Sequence, residues 1–288
     1  MIAWPLPLIT ELAERRCIIF IGSGVSAGAW KTDGGEKKHP PVWKELLQNI
    51  LDSKPDDKFK NKKQAEILLK KDKYLESAEI IRYKLLTNAE YNSLIENSFL
   101  GYIPSPIHEI VGQLDQKIVV TTNFDELYEN LCRKGEGEKG YTVIKYYDSG
   151  LIARLRSPKR VIIKAHGCVS EPEKTVLTKS DFFKARSENP GFFSALESLF
   201  LTHTLLFIGY SITDPEIQLI LENNIITYPS DNPHYAIFAK GNHASTLEVF
   251  KNINNIQSLE YKNNGDHQEL IDSLADLSEK VEERRMTL

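Results

Sequence analysis

The sequence predicts an α/β protein built on a doubly wound parallel sheet of about six strands, with a helical module inserted into it. Three observations predict it. Short apolar runs recur without polar alternation, as in strands covered on both faces. Helical patterns separate most of these runs, which suits parallel strands. Several runs end in small or polar residues at the carboxyl side.

The first run is CIIFIG (17–22), and it passes straight into Gly22-Ser23-Gly24-Val25-Ser26. Glycine lets a ligand approach the main chain and lets a turn take φ > 0. A helix starting there would offer free N–H groups to an anion. The same residues also serve a tight strand-to-helix turn that holds no ligand.

From about 41 to 114 no strand signal occurs. PVWKELLQNILDSK places Val42, Leu46, Leu47, Ile50 and Leu51 on one helical face. AEILLKKDKYLESAEIIRYKLL repeats the pattern with Ile67, Leu68, Leu75, Ala78, Ile81 and Leu85. The lysine run KFKNKK (58–63) reads as a solvated face.

KIVVTT (117–122) is the next strand, and RKGEGEKG (133–140) a glycine- and charge-rich loop. YTVIKYY (141–147) is a candidate additional strand. RVIIKAHG (160–167) and TLLFIGY (204–210) follow, then HYAIFA (234–239) and the weaker IQSLEY (256–261). Asp214-Pro215-Glu216 has the order of an N-cap, a proline at the first helical position and a first-turn acid. Asp266 with Glu269 signals a cap for a last helix over about 266–284, striped by Leu270, Leu274 and Leu277. The charged last ten residues are expected to project.

The 288 residues are read as one domain, 1–288, with no internal repeat. Hydrophobic residues make up 41% and charged residues 26%, ordinary for a chain with a sizeable core. A net charge of −4 provides no global attraction for nucleic acid, so direct nucleic-acid binding is not expected. No run approaches the about 18–20 apolar residues of a membrane span. The N-terminus lacks the basic start and cleavage site of a signal peptide. Cys17, Cys132 and Cys168 form no C-x-x-C pair, so neither a disulfide framework nor a four-cysteine zinc site is readable. A cytoplasmic location fits that cysteine usage. His39, His203, His234, His243 and His267 share no ligand spacing, so no metal is expected. His108 reads as structural.

Four strand ends carry the chemistry: Gly22 to Ser26, Thr121-Thr122-Asn123-Phe124-Asp125, Ala165-His166-Gly167 and Gly209-Tyr210-Ser211. Open parallel sheets bind ligands beyond the carboxyl ends of their strands.

In order along the chain, these segments resemble the sirtuin-like superfamily. GSGVS (22–26) is similar to its glycine-rich pyrophosphate loop, and PPVWKELL (40–47) to the start of its cofactor-covering helix. PSPIHEIVGQL (104–114) resembles the helix before the second strand. TTNFDELYE (121–129) resembles the Thr-x-Asn-x-Asp signature, and KAHGCV (164–169) the His-Gly strand end. VLTKSDFF (176–183) and FIGYSITDPEI (207–217) are similar to segments of the bacterial antiphage-defence branch. Two family features are missing: the zinc ribbon with its two C-x-x-C pairs, and the Asp-Phe-Arg element, whose place AWKTDGGEKKHPP (29–41) takes.

The resemblance implies a Rossmann-like sheet and an NAD hydrolase that releases nicotinamide and ADP-ribose without a metal. It implies Asn123 as the holder of a water or of ribose hydroxyls and His166 as general base. Asp125 would orient the nicotinamide carboxamide or stabilise charge; its plain reading is a helix N-cap. Gly22, Ser23, Gly24, Ser26, Thr122, Gly209, Tyr210 and Ser211 would bind NAD. Replacing Gly24 with a bulky residue is expected to weaken NAD binding far more than folding. The implied partners are further copies of the chain and a HerA-type ATPase. A non-catalytic NAD or ADP-ribose sensor, and a zinc-free deacylase or ADP-ribosyl transferase, are the rival readings.

Overall fold

The computed structural model describes residues 1–54, 59–134 and 140–288. Helix α1 (Leu6–Ala13) leads into strand β1 (Cys17–Ile21), buried along its whole length. One helical turn follows, α2 (Ser23–Ser26). A hairpin of β2 (Lys31–Asp33) and β3 (Glu36–Lys38) comes next, which the sequence reading does not foresee. Gly34 and Gly35 turn it, both at positive φ, as the tightest hairpin loops require.

The helical module is present as expected. It comprises α3 (Trp43–Ser53), α4 (Phe59–Lys70), α5 (Tyr74–Ile80), a π-helical turn over Ile81–Leu85, α6 (Asn88–Phe99) and α7 (Pro106–Gln113). Leu46, Leu47, Ile50, Leu51, Ala78, Ile81 and Leu85 share one core. On α4 the expected face is off by a residue or two. Ile67 is exposed, and Ala65 and Leu69, one turn apart, are buried instead. In the lysine run, Lys60 and Lys63 are exposed, while Lys58 lies outside the described residues.

The remaining elements alternate. They are β4 (Ile118–Thr121), α8 (Leu127–Lys134), β5 (Tyr141–Lys145), α9 (Leu151–Arg156) and β6 (Arg160–Lys164). Then come α10 (Lys179–Glu188), α11 (Pro190–Thr202), β7 (Thr204–Ile208), α12 (Pro215–Thr227) and β8 (His234–Ala239). The last are α13 (Ala244–Asn254), β9 (Ile256–Tyr261) and α14 (Gln268–Arg285). Most of the RKGEGEKG loop, 135–139, lies outside the described residues.

Seven strands form one parallel sheet in the order β5-β6-β4-β1-β7-β8-β9. The strand beyond the expected six is β5, the candidate at 141–147. Successive residues face opposite layers, so β1 feeds two cores. Ile19 and Ile21 pack in the layer with Leu12, Val111 and Leu274, from α1, α7 and α14. Ile18 and Phe20 pack with Phe200 and Ile217, from α11 and α12. The fold is α/β and doubly wound.

Two expectations for the C-terminus do not hold. Glu269 pairs with the amino group of Met1 at 2.8 Å, and Asp266 accepts from the Gln268 amide at 3.1 Å, so no capping box forms. Nor does the whole tail project. Val281 is fully buried, and the Arg285 guanidinium donates to the carbonyls of Leu12, Ala13 and Leu114. That guanidinium joins Gln116 Nε2, which also donates to the Leu12 and Leu114 carbonyls, in satisfying the C-terminal ends of α1 and α7.

Candidate active site

The four predicted strand ends belong to four adjacent strands, β6-β4-β1-β7. Register aligns them. Ile21 pairs with Thr121 and with Ile208, and Thr121 pairs with Lys164. Ser23, Asn123, His166 and Tyr210 each lie two residues beyond that row. All four line one cleft at the carboxyl edge, with about 770 Å³ of empty space including its open mouth. Ser26, Thr122, Asp125 and Ser211 line it too.

Gly22, Gly24 and Gly209 are not in the lining, and each has a packing role between the ends of β1 and β7. The Gly22 amide donates to the Ile208 carbonyl at 3.0 Å, and the Gly24 amide to the Gly209 carbonyl at 2.9 Å. Those N–H groups are therefore engaged with protein. A Cβ on Gly22 would sit 2.3 Å from the Gly209 oxygen, and one on Gly24 2.9 Å from the Gly209 Cα. Gly209 itself has φ +60°, where its missing side chain is needed twice over. The glycines let the backbones of β1 and β7 interlock. A bulky residue at Gly24 would strike backbone, so folding suffers as well as any binding. The expected helix dipole is also slight, because α2 is a single turn.

Asn123 is held by two donations. Its Nδ2 reaches the Gly22 carbonyl and the Ser26 hydroxyl, each at 3.0 Å. A carbonyl can only accept, which fixes the amide orientation. The Asn123 backbone amide donates to Thr121 Oγ1, whose own hydroxyl donates to the Ile21 carbonyl. With both Nδ2 hydrogens engaged, Oδ1 is the amide atom available to a ligand.

The Ser26 hydroxyl donates to Asp125 Oδ2 at 2.7 Å, and Asp125 Oδ1 accepts from the Leu127 amide at 3.1 Å. Asp125 is only 4% exposed. Both oxygens are engaged with protein, and the residue still borders the cleft. It caps the start of α8 and orients Ser26, and through Ser26 it orients Asn123. Beneath it the buried Lys164 ammonium donates to the Asp125 carbonyl and the Glu129 carboxylate.

His166 faces the cleft from β6. Its Nε2 lies 2.8 Å from Asp214 Oδ2, and its ring meets Phe182 edge-on at 5.0 Å. Asp214 is the N-cap of α12 as well, its Oδ1 accepting from the amides of Glu216 and Ile217 at 2.9 and 3.1 Å. The capping role read from sequence is present, and the carboxylate's other oxygen serves the histidine. His108 is structural, as read. It is buried, its Nδ1 accepts from the Ser105 amide at 3.0 Å, and burial holds its imidazole down at about 4.

The helical module roofs the cleft with Trp43, Leu46 and Phe99. Phe124, between Asn123 and Asp125, packs into the module core and meets Phe99 edge-on at 5.8 Å. Trp43 Nε1 is buried without a hydrogen-bond partner, a donor in the lining that protein leaves unused. Sequence reasoning placed Trp43 in the covering helix but missed Phe99, Val176, Leu177, Thr213 and Asp214 as lining residues. Val176, Leu177, Thr213 and Asp214 lay within segments already singled out, so proximity to those motifs was the available signal. Among the described residues no three His, Cys, Asp or Glu side chains gather as a metal site. No helix among them is long and apolar enough to cross a membrane.

Fold and site define a doubly wound parallel α/β protein with a crevice, polar at the strand ends and apolar under the helical module, where such sheets take nucleotides. The family model of the SIR2-like domain matches residues 117–259. The chain is similar to the NAD(+) hydrolase ThsA of Acinetobacter baumannii (strain 532279), at 27% identity over 242 residues, 82% of this chain and 45% of that protein. It is 26% identical over 236 residues to the NAD(+) hydrolase ThsA of Bacillus cereus (strain MSX-D12), 80% of this chain and 44% of that one. It is 24% identical to the defense-associated sirtuin 2 of Bacillus subtilis, over 81% of this chain and 21% of that protein. The chain thus spans less than half the length of these relatives.

Proposed function

We propose that the chain hydrolyses NAD to nicotinamide and ADP-ribose, and that it does so in defence against phage. One observation carries the reading. Asn123 and His166 stand at equivalent positions on neighbouring strands and face one cleft, each fixed by a second polar group. The names of its relatives support the same activity.

The reaction breaks the bond between nicotinamide and the ribose C1′. Nicotinamide leaves neutral, and positive charge builds on the ribose. A water adds at C1′ and loses a proton. Asn123 Oδ1 accepts a hydrogen bond from that water or from a ribose hydroxyl and fixes its place. His166 takes the proton. Ser23, Ser26, Thr122, Tyr210 and Ser211 line the remaining wall against the dinucleotide. Residues 1–288 act as one unit in this reading, in the cytoplasm. A toxic NAD hydrolase must be restrained, so control is assigned to self-association or to a HerA-type ATPase partner.

Nicotinamide release from NAD tests the reading, measured on the chain alone and with its activating partner. Asn123→Ala and His166→Ala should each lower turnover at least about 100-fold with the fold intact. The double variant should be scarcely worse than the poorer single one, because both groups serve one transition state. Near-normal turnover of His166→Ala at matched folded fraction would remove the base and favour a non-catalytic sensor.

A further inference from the structure

From the contact between β6 and the start of α12, we infer that Asp214 is the positioning residue that sets which nitrogen of His166 acts as base. The inference rests on the hydrolase reading above and names a residue of the same site.

An imidazole nitrogen and a carboxylate oxygen 2.8 Å apart attract only if the nitrogen carries a hydrogen. Both side chains are largely buried, His166 at 11% and Asp214 at 7% exposure, so little water competes. Nε2 therefore holds the proton in the neutral ring. Nδ1 is then the lone-pair nitrogen. Among the described residues Nδ1 has no hydrogen-bond partner, and it is not among the buried polar atoms left unsatisfied, so a ligand in the cleft can reach it. The logic is that of a carboxylate fixing a histidine tautomer for general-base work.

Asp214 cannot turn away. Its other oxygen receives two backbone amides of α12. The segment that delivers it is strained. Ile212, fully buried and β-branched, sits at φ +56°, and its carbonyl is held by Gln218 Nε2 at 2.8 Å. A β-branched residue in that region is a genuine outlier, of the kind that marks functional sites. The other charged groups near His166 are Glu216, paired with Arg186 at 3.1 Å, and Asp125 in the same cleft lining. Asp125 is engaged with Ser26 and the Leu127 amide, which leaves Asp214 as the carboxylate seated on the ring.

Asp214→Asn separates cap from tautomer. The two backbone amides need an acceptor, so the amide oxygen must face them. The NH₂ group then faces His166 and donates to Nε2. That moves the ring proton to Nδ1, where it blocks the base. Asparagine caps helices as well as aspartate, so the fold should survive.

The test is ¹⁵N NMR of the histidine rings in the full chain, at a pH where the rings are neutral, beside nicotinamide release. Wild type should show Nε2 protonated and Nδ1 bare, and Asp214→Asn the reverse. Turnover of the variant should fall at least about 100-fold, with KM changed less than about threefold because the effect lies in the chemical step. A proton on Nδ1 in wild type would overturn the inference. So would a variant that keeps the wild-type tautomer, or one that keeps its turnover. A purely structural role would lower the melting temperature and leave the tautomer alone, which also counts against it. If wild type released no nicotinamide even when activated, the hydrolase reading would fail, and the ring spectra would still decide the tautomer.

Discussion

Lys164→Met should be among the more damaging single substitutions beneath the site, although Lys164 is not itself a lining residue. The residue ends β6 and is fully buried. Its ammonium holds two oxygens, the Asp125 carbonyl and the Glu129 carboxylate. Burial pushes the Glu129 carboxyl up, against the pull of Lys164. On Lys164 itself burial is the largest influence and acts downward, and Glu129, Cys168 and Asp125 together outweigh it. Methionine keeps the stem and removes the charge. Glu129, 2% exposed, is then a buried carboxylate with no cation. Removing one partner of such a pair costs about 3–5 kcal/mol, a large share of a typical folding stability of about 5–15 kcal/mol. Urea unfolding followed by circular dichroism measures it. Adding Glu129→Gln to the variant should recover much of the loss, since a neutral amide needs no cation. The pH dependence has a definite sign. Without Lys164 the native Glu129 titrates further above its unfolded value of about 4.3. Between the two values the native chain keeps a proton that the unfolded chain has released, so stability falls as pH rises through that window. The deficit should be larger at about pH 8 than at about pH 5. A loss below about 1 kcal/mol, the size of an exposed pair, or a deficit equal at both pH values, would refute the reasoning.

Two further substitutions separate scaffold from chemistry. Gly22→Ala drives a Cβ to 2.3 Å from the Gly209 oxygen and should cost about 1–3 kcal/mol; thermal melts check it, and an unchanged melting temperature would mean that the β1 and β7 loops part freely. Ser26→Ala leaves Asp125 Oδ2 unpaired and frees one side of Asn123. It should cost about 1–3 kcal/mol and lower kcat more than KM, read by urea melts with nicotinamide release; unchanged kcat would show that Ser26 does not hold Asn123 in place.

The sheet was legible because its strands are buried on both faces, so apolar runs such as CIIFI and RVIIK stand out with no alternation to interpret. The site was legible at the same places, since a small or polar residue at the end of such a run is a break in pattern. The roles within it were less so. Gly24 and Ser23 look alike in sequence as loop residues, yet one meets β7 backbone and the other the cleft. Only the three-dimensional approach of β7 to β1 distinguishes them. The α4 face failed because Ile67, Leu68 and Leu69 are consecutive, and three adjacent apolar residues fit more than one helical stripe. The β2–β3 hairpin was missed because its strands carry charges, and Gly34-Gly35 was the signal that it left.

Two separate polar chains hold Asn123 and His166 in the cleft, and the spacing between them is set by apolar residues. One chain runs from the Gly22 carbonyl through Asn123 and Ser26 to Asp125, across β1 and β4. The other runs from His166 to Asp214 and the α12 amides, across β6 and β7. Among the described residues no hydrogen bond joins Asn123 to His166. What places them side by side is the pairing of Thr121 with Lys164, two residues before each. That register is held by Ile118, Val119 and Val120 against Val161, Ile162 and Ile163. Because side chains alternate along a strand, a slip of one residue would send every member of those pairs to the wrong layer. The buried pattern therefore sets where the two side chains stand relative to each other. The polar chains then only choose rotamers, which is why each of them can be short.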